Sequence, residues 1–279
     1  MIEKKRKKSA LKTIIPVVLL VLFLGVAIFS LIKIIGINNE YKESEMEYKN
    51  IADDAVKPID IEVKPGEPEP EIPPYLIVDH DKLKERNSDY VAWIRIEDTE
   101  VNYPVTYGID NEWYVKHSFD DKWSSSGCIF TDCRNNRDFS SFQTIIYGHS
   151  MLDHSMFFTL QRYPKSSYFY AHQTVEIYRD RKLYVYTAFS FFKTMSDSYV
   201  YFTDAYTDAD RAAFANKLIR DSYFNAGISV SGTDKIITLS TCVNADGPER
   251  WVLSCKLTDI IDLDEYYDGT HPAYVGSCF

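Results

Sequence analysis

The sequence predicts a mainly β domain behind a single membrane-spanning helix. Three observations carry that reading. Eight short runs rich in β-branched and aromatic residues recur between residues 91 and 257, with turn residues between them. Helical stretches among these runs are few, and only one is long. Near the N-terminus, residues 13–32 form a stretch of twenty residues without a charge. Eight short strands separated by turns close into a barrel or pack as a sandwich, since both arrangements bury one face of every strand.

The N-terminal elements set the topology. Residues 4–8 (KKRKK) are basic and precede the uncharged stretch. Twenty residues in a helix extend about 30 Å, the thickness of a bilayer core. Basic residues on the N-terminal side place residues 1–12 in the cytoplasm and the rest of the chain outside. A cleaved signal peptide is the rival reading. The apolar run is long for one and no small-x-small cleavage site follows, which favours an uncleaved anchor over residues 13–35. Nothing polar interrupts the run to give it two faces, as a buried soluble helix would need. Residues 36–74 read as a stalk. Residues 39–55 are polar and charged with helical propensity, and residues 57–74 carry six prolines. Such a proline-rich segment favours extended polyproline geometry and builds no core. The extracellular domain is expected over residues 75–279.

Within it, Asp79 is placed to cap a short helix running through Lys82 to Arg86. The strand-like runs are residues 91–96, 101–105, 127–131, 144–147, 174–179, 182–192, 235–240 and 250–257. A short helix is expected over residues 156–163. The long one, residues 208–224, falls between the sixth and seventh strands, with Asp208 or Asp210 at its start. Ala212, Ala213, Phe214, Leu218 and Ile219 give it an apolar face.

Charge and cysteines narrow the function. The chain has 31 basic and 41 acidic residues, a net of −10. Residues 1–35 hold seven of the basic and one of the acidic residues, which leaves 24 against 40 and a net of −16 for the remainder. An acidic domain is a poor partner for nucleic acid. The five cysteines show no CxxC pair or His-rich spacing, so no zinc site is expected. Cys255 reads as a core residue of the last strand, and Cys278 lies in the tail. Cys128 and Cys133 stand five positions apart, which on an extended strand puts them on opposite faces.

Two apolar β runs each deliver one reactive side chain. Cys242 ends the run that begins at Lys235, and Arg250 follows eight residues later. About 93 residues upstream, His149 follows Ile145, Ile146, Tyr147 and Gly148. A thiol, an imidazole and a guanidinium supply a nucleophile, a proton carrier and a cation for a developing oxyanion. A free thiol has a pKa of about 8.5 and needs such a partner to react as a thiolate. Taken singly, each has a bland reading: a buried cysteine, a core histidine, an arginine paired with a nearby acid. His154 is five residues past His149, in a loop entering a helix. His80, His117, His172 and His271 have no partner motif.

The words TLSTC and YGHS resemble the signature segments of the sortases, and the similarity extends from about Asn87 to Leu257. Residues 88–96 (SDYVAWIRI) resemble the opening strand of class B sortases. Residues 101–105 (VNYPV), 110–114 (DNEWY) and 127–136 (GCIFTDCRNN) follow in the family's order, and Met156, Phe157, Leu160 and Tyr163 fit its helix. Three positions depart from the pattern: Ser150 stands where Asn is common, Cys128 and Cys133 replace other residues, and Asn244 occupies a place that is acidic in some members, with Asp246 further on. The resemblance implies an eight-stranded sortase-type β-barrel with an N-terminal helix and a long helix between strands six and seven. It implies that Cys242, His149 and Arg250 are catalytic and that Tyr147, Ser240, Asn111 and Val115 line the substrate groove, with residues 194–201 shaping it. No metal and no organic cofactor is implied.

The implied activity is that of a membrane-anchored cysteine transpeptidase. It would cleave an NPQTN-like sorting signal after Thr through a thioester and pass the protein to an amine of a peptidoglycan precursor or to a pilin lysine. The implied partners are sorting-signal peptides, that amine and, through the N-terminal helix, the membrane. Two other classes stand beside it: a hydrolytic cysteine peptidase, in which water resolves the thioester, and a tethered peptide receptor. A receptor has no need of the full Cys, His and Arg set.

Overall fold

The computed structural model describes residues 2–59, 75–202, 207–244 and 247–270. The chain divides into two compact units, Met1–Glu43 and Ser44–Phe279. A single helix, α1 (Ile2–Ala55), supplies the first and enters the second. Its segment Ile15–Ala55 is the one helix among the described residues that is long and apolar enough to cross a membrane, with a peak mean hydropathy of 3.0. Phe23, Val26 and Phe29 stand exposed along it, an arrangement suited to lipid rather than water.

The second unit is built on a barrel. After β1 (Val56–Pro58), β2 (Leu76–Val78) and α2 (His80–Arg86) come β3 (Tyr90–Arg95), β4 (Asn102–Tyr107), β5 (Ile129–Thr131) and β6 (Gln143–Tyr147). A 3-10 turn, Phe158–Arg162, and α3 (Ser166–Ala171) lead to β7 (Thr174–Arg179) and β8 (Lys182–Met195). The chain closes with α4 (Asp208–Asp221), β9 (Ile236–Cys242), β10 (Glu249–Asp262) and α5 (Asp264–Tyr267). Eight strands close in the order β10-β8-β7-β3-β4-β5-β6-β9, and β1 pairs with β2 outside the barrel. Closure leaves no barrel strand with an unpaired edge. Most neighbours are antiparallel, but β4 with β5 and β6 with β9 are parallel.

The eight expected runs are the eight barrel strands. The two longest exceed their expected ends, because β8 and β10 pair from Met195 and Glu249 to Lys182 and Asp262. Register shifts at Ser254/Cys255 and Leu257/Asp259 bend this pair, as bulges do when long strands wrap a barrel. The long helix α4 lies between the sixth and seventh barrel strands, as expected. Its cap is Thr207, one residue before the expected aspartates: Asp210 N donates to Thr207 Oγ1 (3.1 Å), and Thr207 N donates back to the Asp210 carboxylate (3.2 Å). The short helix expected over residues 156–163 is the 3-10 turn.

Residues 44–58, in the segment expected as stalk, group with the barrel unit. Tyr48, Ile51 and Ala55 are buried on one face of the last turns of α1. Tyr48 Oη donates to Gly127 O (2.6 Å), and its ring meets Tyr103 edge-on at 5.4 Å. Gly127 sits at φ +58, where an added Cβ would lie 2.5 Å from Tyr114 O. Residues 60–74, with most of the prolines, lie outside the described residues.

The packing that matters for the site is under α4. Ile145, Phe189, Val200, Leu218, Ile236 and Val252 form one buried cluster joining α4, the barrel and the segment that follows β8. Each fully buried side chain of this size contributes about 1.5–3 kcal/mol. Ser190 Oγ donates to Leu218 O (2.6 Å) and pins the helix to β8. Cys128, Cys133, Cys242 and Cys255 are all free thiols, so Cys128 and Cys133 do not pair.

Candidate active site

Strand register alone brings the reactive residues together. Arg250 of β10 is the direct cross-strand partner of Cys242 of β9, so both side chains leave the same face. On the other side of β9, Tyr147 of β6 is level with Ser240, and Gly148 N donates to Ser240 O (3.2 Å). Two residues further along each chain are His149 and Cys242. Two parallel strands thus end with an imidazole beside a thiol, and an antiparallel one opens with a guanidinium. The glycine before the histidine is required: a Cβ on Gly148 would collide with Ile129 Cδ1 and lie 2.8 Å from the Phe157 ring.

These residues open onto one groove of about 500 Å³. All seven site residues expected from the sequence line it: Cys242, His149, Arg250, Tyr147, Ser240, Asn111 and Val115. So do Ser196, Asp197, Ser198 and Tyr201 of the segment expected to shape it. His154 does not; it stacks on Phe158 at 4.1 Å. His80, His117 and His172 stack on tyrosines or tryptophans elsewhere, and His271 lies outside the described residues.

The orientation of His149 follows from its partner. Nε2 lies 2.7 Å from Val115 O, which only accepts, so Nε2 carries a proton. Nδ1 is therefore the nitrogen left to exchange one. Arg250 is held by the loop it closes: Nη1 donates to Gly247 O (2.6 Å) and Glu249 O (3.0 Å). Among the described residues its Nε and Nη2 have no partner. Glu249 itself pairs with Lys193 at 2.6 Å, so the guanidinium is not spent on that acid.

One wall of the groove rests on Asp132, which is fully buried. Arg134 grips it bidentately (2.8 and 2.7 Å), and Tyr147 Oη donates to it at 2.8 Å. Burial pushes this carboxyl up, but the hydrogen bonds from Arg134 and Tyr147 outweigh it and hold the pKa at about 2. Burial and the adjacent Asp132 push the Tyr147 phenol well up, so it remains a donor. Asn111 Oδ1 accepts from Cys133 N (2.8 Å), which fixes its amide at the rim. Tyr201 also lines the groove, and its hydroxyl meets Ser240 Oγ at 2.9 Å. Burial raises its pKa to about 12. Its ring stacks on Tyr147 at 6.3 Å. The result is a groove with aromatic walls that also carries Arg134 and Asp197, onto which a thiol, an imidazole and a guanidinium open. Among the described residues no cluster of three metal-ligating side chains occurs.

The sequence reading assigned no role to Asp132, Arg134 or Gln161. The first two fall inside the segment GCIFTDCRNN, where a single acid two residues before a single arginine was the available signal. Gln161 lies in the 3-10 turn with no motif around it. It donates to the carbonyls of Cys242 and Val243 (3.0 Å each).

The comparisons with known proteins agree with this geometry. The sortase domain family matches residues 94–258. Sortase B of Listeria monocytogenes is 36% identical over 177 residues, covering 63% of this chain and 72% of that one. The crystal structure of sortase B from B. anthracis in complex with AAEK1 superposes with a TM-score of 0.65 at 27% identity, covering 79% of this chain and 98% of that one. A Staphylococcus aureus sortase B–substrate complex superposes with a TM-score of 0.61 at 33% identity, covering 66% and 85%. With a closed eight-stranded barrel and a family match across more than half its length, the chain belongs to the sortases, as a class B cysteine transpeptidase.

Proposed function

We propose that Cys242, His149 and Arg250 are the catalytic residues. The observation that carries this is their convergence on a single groove, from segments about 93 residues apart. A sorting signal similar to the NPQTN type lies along the groove against Tyr147, Asn111, Val115 and Ser240. Cys242 Sγ attacks the carbonyl carbon of the signal's threonine, and its proton passes to His149. Arg250 stabilises the oxyanion of the tetrahedral intermediate. As that intermediate collapses, His149 protonates the leaving amine, the C-terminal tail departs and a thioester remains. An amine of a peptidoglycan precursor then attacks the thioester. His149 takes its proton, the thiolate leaves and is reprotonated, and a new amide bond replaces the old one. One amide breaks and one forms, so no redox partner or cofactor enters.

In the same reading α1 anchors the protein in the membrane with its N-terminus in the cytoplasm and the barrel outside, where the cell-wall amine is. Support comes from the apolar run of α1 and the basic residues before it.

The test uses the full chain in detergent micelles with a library of pentapeptides. Mass spectrometry is expected to find the cleaved acyl group on Cys242, and Cys242→Ala to abolish cleavage. Turnover above a few per cent of wild type in that variant refutes the nucleophile. Adding a cross-bridge peptide or a lysine-bearing pilin peptide separates the acceptors. Release of free acid whichever amine is present would mark a hydrolase.

A further inference from the structure

One side chain outside the groove touches the neighbour of every residue assigned to catalysis. Gln161 Nε2 donates to Cys242 O, to Val243 O and to Ser150 Oγ, each at 3.0 Å. Its Oε1 accepts from Trp251 Nε1 at 2.8 Å. Ser150 follows His149, and Trp251 follows Arg250. The amide has one possible orientation here. An indole N–H only donates and a carbonyl only accepts, so a flip would set oxygen against two carbonyls and nitrogen against a donor. Trp251 is in turn fixed by stacking on Phe191 at 5.2 Å. The anchored indole sets the amide, and the amide sets the backbone that leaves Cys242.

That backbone leads into the loop that holds Arg250, through Gly247 O and Glu249 O. Val243 N also donates to Glu249 O (3.1 Å), which ties the two ends of the loop together. Gln161 therefore stands at the junction of three arms: β9 with the thiol, the loop with the guanidinium's partners, and the segment after the imidazole. We propose that Gln161 is a positioning residue for the transpeptidation centre, keeping Cys242, His149 and Arg250 in mutual register. It is not among the residues that line the groove. The proposal rests on the assignment of those three residues.

A positioning role predicts loss in acylation rather than in peptide binding. A misplacement of the reacting atoms by about 1 Å costs on the order of a hundredfold. Gln161→Leu, which keeps the volume and loses the hydrogen bonds, is expected to lower the kcat for acylation about ten- to a hundredfold with KM for the signal peptide within about threefold. Gln161→Glu gives a signature that a structural role lacks. Ionised, its carboxylate faces two carbonyls. Protonated, it donates to one of them while its other oxygen still accepts from Trp251. The ratio of Gln161→Glu to wild-type kcat is therefore expected to rise as pH falls.

Thermal unfolding of both variants and Cys242→Ala complete the experiment. Wild-type acylation in both Gln161 variants, with Cys242→Ala inactive, overturns the positioning role and leaves the site reading intact. So does a loss confined to KM, or a Gln161→Glu ratio that is flat with pH. Activity in Cys242→Ala overturns the site reading itself, and the positioning role with it.

Discussion

Arg250→Lys keeps the charge and removes the geometry. In the structure Nη1 bridges Gly247 O at 2.6 Å and Glu249 O at 3.0 Å, while Nε and Nη2 have no partner among the described residues. A planar fork can hold the loop and donate to an oxyanion at once; a single ammonium on a flexible stem does one. If the lysine takes the loop carbonyls, the oxyanion loses a donor, which is worth roughly 10²–10³ in kcat, or about 2.7–4 kcal/mol. If it turns to the groove, Gly247 O loses its side-chain partner while Glu249 O keeps Val243 N, at up to about 1–3 kcal/mol where water cannot replace it. The first outcome lowers kcat at constant stability, and the second lowers the unfolding midpoint. The assay is single-turnover acylation of a fluorogenic signal peptide, with thermal unfolding in parallel. The expected result is at least about a hundredfold loss in one or a clear drop in the other. Wild-type values in both would reduce Arg250 to a surface cation.

Three further outcomes are expected. His149→Ala loses nearly as much cleavage as Cys242→Ala, and iodoacetamide labels Cys242 more slowly in it, since no other imidazole among the described residues lines the groove; unchanged cleavage refutes the assignment. His80 is half-buried, with Nδ1 2.8 Å from Tyr90 Oη and Nε2 shut off from solvent without a partner among the described residues, and burial lowers its pKa from 6.5 to about 4. Between those values the unfolded chain binds a proton that the folded one does not, so stability is lost as pH falls from about 6.5 towards 4, by up to about 3 kcal/mol. His80→Gln should flatten that part of a urea midpoint-against-pH curve, and an unchanged slope sinks the idea. Protease added to intact cells should remove the barrel and spare a tag placed before Lys4; a free form starting after residue 35 would mark α1 as a cleaved signal.

The strands were legible because their apolar residues alternate or cluster at β-branched positions, and the barrel interior demands that. The far ends of β8 and β10 were not. Lys193, Thr194, Thr258, Asp259 and Asp262 are polar and Ile260 is exposed, and what orders them is the ladder between the two strands rather than burial. The last turns of α1 were read as stalk because their buried stripe is thin. Ser44, Tyr48, Ile51 and Ala55 recur at helical spacing, but only two of them are large and apolar among many charges. At the site, Cys242, His149 and Arg250 were visible because reactive groups at strand ends are rare and ordered. The residues that hold them were not. A glutamine bridging carbonyls leaves no pattern in a chain, since its partners lie 81 and 90 positions away.

The parallel pairing of β6 with β9 also has a temporal meaning. Between His149 and Cys242 the chain must first traverse α3, β7, β8 and α4, about 93 residues. Closing a loop of that length costs about 4 kcal/mol in chain entropy, recovered only when both strands find their places in the barrel. Local hairpins such as β7–β8 carry no such cost and have no reactive residue to complete. A chain whose barrel has not yet closed therefore carries a thiol and an imidazole that have not met. Reactivity is a property of the closed barrel alone, and an unfinished polypeptide has no means of cutting its neighbours.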